Sequence, residues 1–336
     1  MRETDHSASS LLRQGPESIQ RQLAQDGLHL DLGLVRLRIR TSEASVARQL
    51  FEVYRHYGPL QDPSWCDLHV SLMRAQGIRR WLRPQVRFFA DGAMNFDAFP
   101  ADHGLPLLEW GVNWLIGRRM NDVLLLHAGT LERDGRALVM PALPGSGKST
   151  LTAALSLRGW RLLSDEFGAF DPQAGTFRAV LKPVALKNES IGVIRSFDPG
   201  AELGPSFDKT RKGTVAHLAP SPSSVARVHE GARPGMLVLP RWQAGSPTLF
   251  EPVPPTAAFT SLAFNAFNYA VLGAEGFQAV TALVRGMPAW RLVYSDLEDA
   301  TSKLLGLWQQ QAWRPWPPLR PQEPGLPAMA ELGTSA

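Results

Sequence analysis

Alternation of apolar and polar residues in the first third of the chain predicts a small mixed sheet. Apolar residues occupy every second position over 28–34, and the alternation resumes over 35–39 one position out of phase. Because a shift of one residue reverses the buried face of a strand, we expect a bulge or tight turn beside Gly33. After a polar lead-in over 1–25, the patterns of this region predict helices over 19–24, 46–57 and 107–120 and strands over 67–73 and 86–99.

From about residue 122 the pattern changes to the alternation of strands and helices that an α/β layer requires. Asp134-Gly135 separates two apolar runs and is a strong signal for a two-residue hairpin. Predicted strands cover 123–130, 136–140, 160–164, 180–186, 236–239 and 290–294, and predicted helices cover 257–272, 277–284 and 297–308. Ser295 and Glu298 are expected to form a capping box for the last helix.

These patterns divide the chain into three parts. We expect a small α+β N-terminal domain over 1–105, an α/β domain over 106–313 and a disordered, proline-rich tail over 314–336. No internal repeat is present.

Composition narrows the class of protein. The 336 residues are 44% hydrophobic and 20% charged, which is typical of a globular protein. No apolar run approaches the roughly 18 residues of a membrane span, and Cys66 is the only cysteine, which excludes an intramolecular disulfide. The net charge is only +4 and the arginines are dispersed, so we expect no nucleic-acid partner and no membrane partner. Together these features predict a cytoplasmic protein.

A phosphate-binding loop is the main functional signal. The segment 141–150 follows an apolar strand pattern and opens a helix pattern that stops at Gly159. Its backbone N–H groups can surround a phosphate, Lys148 can reach the β- and γ-phosphates, and the Ser149 hydroxyl can bind Mg²⁺. Ala142 stands where the strict motif has glycine. The predicted nucleotide-binding residues are Pro144, Gly145, Ser146, Gly147, Lys148, Ser149 and Thr150, with Lys212 from a later basic loop.

Three titratable residues are expected to converge on this loop. Pairing outward from a two-residue turn at 134–135 places His127 opposite Ala142, where it can handle a proton or contact phosphate; a structural histidine is the alternative. Asp165 and Glu166 end the next predicted strand, where P-loop proteins place a second acidic element. We assign Asp165 as general base and Mg²⁺ ligand and Glu166 as the second catalytic carboxylate, and a helix cap or solvated acidic pair is the alternative.

Other polar residues are weaker candidates, since each can equally be a solvated surface residue. Three of them form a basic loop, Lys209, Arg211 and Lys212. Two follow a predicted strand, Lys187 and Glu189, and His217 and Arg241 are single residues. Asn265 and Asn268 have helical spacing and are expected to make packing contacts.

His127, the run Gly145-Ser146-Gly147-Lys148-Ser149 and the pair Asp165-Glu166 together resemble the kinase domain of the bacterial HPr kinase/phosphorylase family. The tracts 186–195 and 209–220 resemble the HPr kinase-related kinases, most nearly their A group, and the whole match covers about 122–310. The resemblance implies an α/β P-loop nucleotide-binding kinase domain of the HPr kinase and PEP carboxykinase-like type. It also implies ATP and Mg²⁺ as cofactors, a protein serine as acceptor, His127 as the active-site histidine and Asp165 as the residue that activates the serine hydroxyl.

The sequence departs from the family in places that bear on function. Glu166 stands where the family has a second aspartate, and Lys187 stands where its signature segment has a glutamate, so the reverse phosphorylase reaction is not carried over. A lysine at this position could instead contact phosphate.

The favoured function is an ATP-dependent kinase with a protein or peptide phosphoacceptor. The resemblance makes a homo-oligomer conceivable, although no heptad argues for one. A small-molecule kinase and a non-catalytic ATP-binding regulatory protein are the alternatives. The chain has neither an Asn-Lys-x-Asp guanine motif nor a Leu-Ser-Gly-Gly-Gln helix, which argues against a GTPase and an ABC-type ATPase.

Overall fold

The computed structural model describes residues 10–58, 60, 64–77, 82–94, 96–313 and 316, and over these residues the chain is a mixed α/β protein. The helices are α1 (Leu11–Ala24), α2 (Ala44–Tyr54), α3 (Gly104–Arg119), α4 (Lys148–Leu157), α5 (Glu189–Phe197), α6 (Pro222–Ala226), α7 (Pro255–Phe264), α8 (Tyr269–Leu272), α9 (Ala274–Gly286) and α10 (Leu297–Gln309). The strands are β1 (Leu28–Asp31), β2 (Arg36–Thr41), β3 (Leu68–Arg74), β4 (Gln85–Ala90), β5 (Ala93–Met94), β6 (Phe99–Pro100), β7 (Leu124–Arg133), β8 (Arg136–Pro141), β9 (Arg161–Ser164), β10 (Phe167–Asp171), β11 (Thr176–Arg178), β12 (Val184–Lys187), β13 (Phe207–Thr210), β14 (Gly213–Leu218), β15 (Arg233–Trp242), β16 (Leu249–Pro252) and β17 (Ala289–Tyr294). Among the described residues, no helix combines the length and the apolar character needed to cross a membrane.

The first sheet confirms the turn predicted at Gly33. Its strand order is β1-β2-β3-β4-β5, with β6 also paired to β4. β1 and β2 pair antiparallel with Leu28 opposite Ile39, so the phase shift falls in the turn between them. Gly33 has φ +96° in this turn, and an added Cβ would lie 2.7 Å from the carbonyl oxygen of Ala179. Both the backbone angle and the close approach therefore require glycine.

One helix of this region differs from the prediction, and another crosses a predicted domain boundary. The supposed polar lead-in contains α1, which buries Leu11, Ile19 and Leu23 and is kinked where Gly15 has φ +77°. The kink at Gly15-Pro16 interrupts the helical period, which is why only the last two turns are visible in the sequence. The predicted domain boundary at 105/106 falls inside α3, which packs against α2, β3 and β4. This helix is therefore continuous across the boundary that the sequence predicted.

A buried ion pair joins α3 to the second half of the chain. The Lys182 ammonium lies 2.9 Å from Glu109 Oε2 and donates to Asn113 Oδ1 at 2.6 Å and to the Glu109 carbonyl oxygen at 3.1 Å. Glu109 Oε1 accepts a hydrogen bond from the Tyr54 hydroxyl at 2.6 Å. Glu109 and Lys182 are both buried, so this network fixes α3 to the segment that precedes β12.

Replacing Lys182 by methionine should lower the free energy of unfolding by about 3–5 kcal/mol, because the Glu109 carboxylate would stay buried without a counter-ion. Urea denaturation at neutral pH measures the loss. Lys303→Met is the matched control, since Lys303 pairs with Asp299 on the exposed face of α10 and its loss should cost at most about 1 kcal/mol. Equal losses in the two variants would contradict the role of the buried pair.

The second sheet carries the P-loop. Its order is β11-β10-β7-β8-β15-β17-β16, with β9 paired to β7. β7 and β8 form the predicted hairpin, with Arg133 opposite Arg136 and Ala128 opposite Pro141. β8, β15 and β17 are parallel neighbours, so their carboxyl ends lie at one edge of the sheet. A third, smaller sheet has the order β12-β14-β13.

The predicted helix over 257–272 is interrupted between α7 and α8. Residues 265–268 leave the helix and bind the edge of β7, because His127 N donates to the Asn265 carbonyl oxygen at 2.6 Å and Phe267 N donates to that of Leu125 at 2.8 Å. The Asn268 side chain accepts from Leu125 N at 3.0 Å. The packing role expected for Asn268 is confirmed with β7 as a partner, whereas the Asn265 side chain donates to the Ser261 carbonyl oxygen of its own helix at 2.8 Å.

Smaller differences concern the ends of elements. α10 is capped by Asp296, whose carboxylate accepts from Asp299 N at 2.7 Å, so the predicted capping box of Ser295 and Glu298 is wrong. The strand expected over 180–186 is β12, which begins later, at Val184. Most of the proline-rich tail predicted over 314–336 lies outside the described residues, but Trp316 packs its ring against Phe170, with 5.9 Å between centroids.

Candidate functional site

The glycine-rich segment forms a tight loop between β8 and α4, as the sequence predicts. Gly145 and Gly147 have φ +88° and +86°, which let the backbone turn where residues with side chains are strained. The Ser146 carbonyl oxygen accepts from Trp242 N at 2.9 Å, and that of Gly147 accepts from the Tyr294 hydroxyl at 3.1 Å. The loop is therefore held by the last residues of β15 and β17. The free N–H groups at the start of α4 can bind an anion.

Replacing Gly147 by alanine should weaken Mg²⁺·ATP binding at least about tenfold, since the loop cannot hold its shape. An added Cβ would lie 2.5 Å from the Tyr294 hydroxyl oxygen and 3.0 Å from Trp242 Cβ. Gly145→Ala is the matched control, because Gly145 has a similar φ but nothing within 4 Å of an added Cβ. Calorimetric titration with Mg²⁺·ATP compares the two variants, and equal affinities would contradict the steric argument.

The Lys148 side chain reaches across the base of the loop. It is only 8% exposed, and its ammonium donates to the Asp165 carbonyl oxygen at 2.7 Å and lies 3.3 Å from His127 Nε2. The predicted meeting of Lys148, His127 and the strand that ends at Ser164 is therefore present in the structure.

His127 lies close to where the hairpin register predicts, since the β7–β8 pairing ends with Ala128 opposite Pro141, one residue short of the predicted pair of His127 with Ala142. Its Nε2 lies between the Lys148 ammonium and Glu166 Oε2, at 3.3 Å from each. An unprotonated Nε2 accepts from the lysine, and a protonated Nε2 donates to the glutamate. The carboxylate that His127 contacts is that of Glu166 and not that of Asp165, a division of roles that the sequence did not reveal.

The two adjacent carboxyl groups are in opposite electrostatic situations. Burial alone would raise the pKa of Glu166, but the His127 hydrogen bond and the charge of Lys148 outweigh it and the pKa is lowered. Burial raises the pKa of Asp165, and the neighbouring Glu166 raises it further, against the partial opposition of Lys148 and the Ser149 hydroxyl. Asp165 is 3% exposed, and neither of its oxygens has a hydrogen-bond partner of good geometry among the described residues. Apart from its weak interaction with the Ser149 hydroxyl, Asp165 is thus a buried acceptor group that no described residue satisfies.

These residues fit a magnesium ion that shares its coordination with phosphate. In the described part of the chain, no cluster of three or more His, Cys, Asp or Glu residues is arranged to hold a metal. Mg²⁺ bound with a nucleotide usually takes only one or two protein oxygens, the rest coming from phosphate and water. Asp165, with its unpartnered oxygens, and Ser149 at the start of α4 can supply them.

A cavity of about 180 Å³ adjoins the acid pair. It is lined by Phe99, Pro106, Glu109, Trp110, Asn113, Ser164, Asp165, Glu166, Lys182, Pro183, Ala185, Lys187, Thr210, Arg211, Lys212, Val215 and His217. Lys187 and Lys212 thus lie beside the carboxylates as expected, and burial followed by the charge of Lys187 lowers the pKa of Lys212. Of the other candidates, Lys209, Glu189 and Arg241 are not among the lining residues.

Several lining residues were not identified from the sequence. Phe99 and Trp110 belong to the N-terminal region, where their spacing indicates only a core. Trp242 and Tyr294, which contact the P-loop and do not line the cavity, were also missed. They end β15 and β17, two parallel neighbours that are distant from β8 in sequence. The parallel order of β8, β15 and β17 is the signal that would have identified the last two, because it brings their carboxyl ends together.

No protein-family model matches this chain, and no curated protein shows significant similarity to it. The resemblance to the HPr kinase-like family therefore stays a prediction.

Proposed function

We propose that this chain is an ATP- and Mg²⁺-dependent kinase of the HPr kinase-like type, which transfers the γ-phosphoryl group to the hydroxyl of an acceptor. One observation carries the proposal: Asp165 is a buried carboxylate whose oxygens have no hydrogen-bond partner of good geometry in the described part of the chain, and it follows a strand that ends beside the P-loop lysine. A buried polar group without a partner destabilises a fold, and such groups concentrate where function requires them.

In the proposed reaction the acceptor oxygen attacks the γ-phosphorus while the bond from that phosphorus to the β–γ bridging oxygen breaks. Asp165 takes the hydroxyl proton and ADP leaves with the bond's electron pair. The raised pKa of Asp165 suits a base, because a more basic carboxylate accepts a proton more readily at neutral pH. Positioning and charge neutralisation supply most of the rate in this class of reaction.

The other residues have supporting roles. Lys148 would leave the Asp165 carbonyl oxygen and bind the β- and γ-phosphates, and the loop backbone would bind the remaining phosphate oxygens. Mg²⁺, when bound, neutralises phosphate charge, and the Ser149 hydroxyl and one Asp165 oxygen would hold it. The His127 imidazole contacts Glu166 and helps to keep the Glu166 carboxylate ionised next to Lys148. Lys212 can approach the transferred group from the mouth of the cavity.

The acceptor implied by the resemblance is a seryl hydroxyl of a protein or peptide. A small-molecule kinase needs the same loop and base, and the small volume of the cavity favours this alternative. A non-catalytic ATP-binding regulator is supported less well, because both carboxylates are present at the loop. A cytoplasmic location, a homo-oligomer and the absence of a nucleic-acid partner remain predictions.

The test is transfer of label from γ-labelled ATP to components of a cell lysate. The wild-type chain should label an acceptor in a Mg²⁺-dependent way, and Lys148→Ala and Asp165→Asn should not. Equal labelling by all three proteins would remove the proposal. Nucleotide-dependent capture of a partner that survives Asp165→Asn, with no transfer, would support the regulator instead.

A further inference from the structure

The cavity beside the acid pair is built from both halves of the chain. Phe99 and Trp110 of the N-terminal region form one side, and residues of β12 and β14 form another. Its volume of about 180 Å³ is below the roughly 300–1,000 Å³ of most small-molecule pockets. Only a compact group can therefore be enclosed in it.

The pairing of β12 with β14 arranges the polar residues of the cavity along one face. Ala185 is opposite His217 and Lys187 is opposite Val215, and all four line the cavity. The two pairs are separated by the pair of Leu186 with Ala216. Since alternate residues of a strand are about 7 Å apart, His217 and Lys187 occupy successive positions on the same face. Lys187 lines the cavity together with Asp165 and Glu166, and its charge lowers the pKa of both carboxyl groups.

His217 is a second buried polar group with unused hydrogen-bonding capacity. It is 2% exposed, and its Nδ1 has no partner among the described residues. Burial lowers the pKa of His217 to about 4, so at neutral pH one ring nitrogen donates and the other accepts. Lys182, which lines the same cavity, is by contrast fully engaged by Glu109 and Asn113. The cavity thus holds two unsatisfied groups, Asp165 and His217.

We propose that this cavity is the acceptor site and that it takes a compact group whose hydroxyl meets Asp165 while a neighbouring amide or carboxylate, as in serine, meets the His217 ring. The inference rests on the proposed kinase function and extends it. Trp110 and Phe99 would cover the apolar part of the acceptor, and His217 would select acceptors that carry the second polar group. His217 is in this sense a specificity-determining residue.

A free serine-like molecule and a serine within a peptide share this chemistry. An adjoining cavity of about 460 Å³ provides a way to tell the two ligands apart. It shares Phe99, Trp110 and Arg211 with the first cavity and is also lined by Arg87. A peptide would extend into this second cavity, where the positive charge of Arg87 can meet an acidic side chain. A free molecule would not reach it.

Binding without turnover tests the site. The full chain, loaded with Mg²⁺ and a non-hydrolysable ATP analogue, is titrated with L-serine and with a short blocked peptide whose central serine is flanked by leucine and glutamate. His217→Phe should weaken both probes at least about tenfold, and His217→Gln should recover most of the loss because it keeps a donor and an acceptor. Affinity for the ATP analogue should not change. Trp110→Leu provides a second variant, with the same expected loss, in case His217→Phe does not fold.

A substitution in the second cavity distinguishes a peptide acceptor from a free serine-like acceptor. Arg87→Glu should weaken the peptide only, and Arg285→Glu on α9, remote from both cavities, should weaken neither probe. Absence of binding by both probes, or wild-type affinity in both His217→Phe and Trp110→Leu, would overturn the inference. If the probes bind in a way that depends on His217 but no phosphate is transferred from ATP, the kinase function is refuted and the binding site stands. If phosphate is transferred and the acceptor KM is unchanged in these variants, only the acceptor site is refuted.

Discussion

Replacing Lys148 by alanine should lower the turnover of phosphoryl transfer by about 100- to 1,000-fold, which is the usual effect of removing one preorganised charge from a transition state. The ammonium is buried at the base of the loop, 2.7 Å from the Asp165 carbonyl oxygen, and only this side chain has to turn towards the phosphates when a nucleotide binds. Single-turnover transfer with saturating Mg²⁺·ATP measures the chemical step separately from nucleotide affinity.

The size of this effect depends on the site and not on charge in general. Lys303→Ala removes a lysine from the exposed surface of α10 and should leave the turnover unchanged. If Lys148→Ala binds Mg²⁺·ATP more weakly but transfers phosphate at the wild-type rate when saturated, Lys148 contributes ground-state binding only. The assignment of Lys148 to the transition state would then be wrong.

Local sequence signals were sufficient for the arrangement around the hairpin. Asp134-Gly135 fixes a two-residue turn, and the turn fixes the register of β7 against β8. Because the register then continues to the end of β8, counting residues was enough to place His127 at the P-loop. The placement of Asp165 followed similarly from the end of an apolar run at Ser164.

The parts that sequence could not supply depend on contacts between distant segments. The cavity joins Trp110 of α3 to the β12–β14 sheet, and no local pattern links these elements. The break between α7 and α8 arises because residues 265–268 pair with the edge of β7, which overrides the helical propensity of an alanine-rich segment. Which of two adjacent acids contacts His127 depends on side-chain direction at a strand end, and spacing does not determine it.

Replacing Asp165 by asparagine should nearly abolish transfer and also stabilise the protein without nucleotide. Loss of a general base lowers the rate by about 100- to 10,000-fold. The pKa of Asp165 is raised in the folded state, so the folded protein binds this proton more tightly than the unfolded chain does. At neutral pH the ionised carboxylate therefore destabilises the fold, and its removal should raise the free energy of unfolding by about 0.5–2 kcal/mol.

Glu166→Gln is the matched control. The pKa of Glu166 is lowered in the folded state, so its substitution should change the free energy of unfolding in the opposite direction. The ionised Glu166 stabilises the fold above the pKa of an unfolded glutamate, and this contribution is lost as the pH falls through the folded pKa. Urea denaturation across the acid range should thus show Asp165→Asn more stable than wild type at neutral pH, with the difference shrinking as the pH falls and Asp165 becomes protonated. Glu166→Gln should be less stable than wild type at neutral pH. Destabilisation by both substitutions would mean that Asp165 is held by partners in the folded chain, and its role as an unpaired base would have to be abandoned.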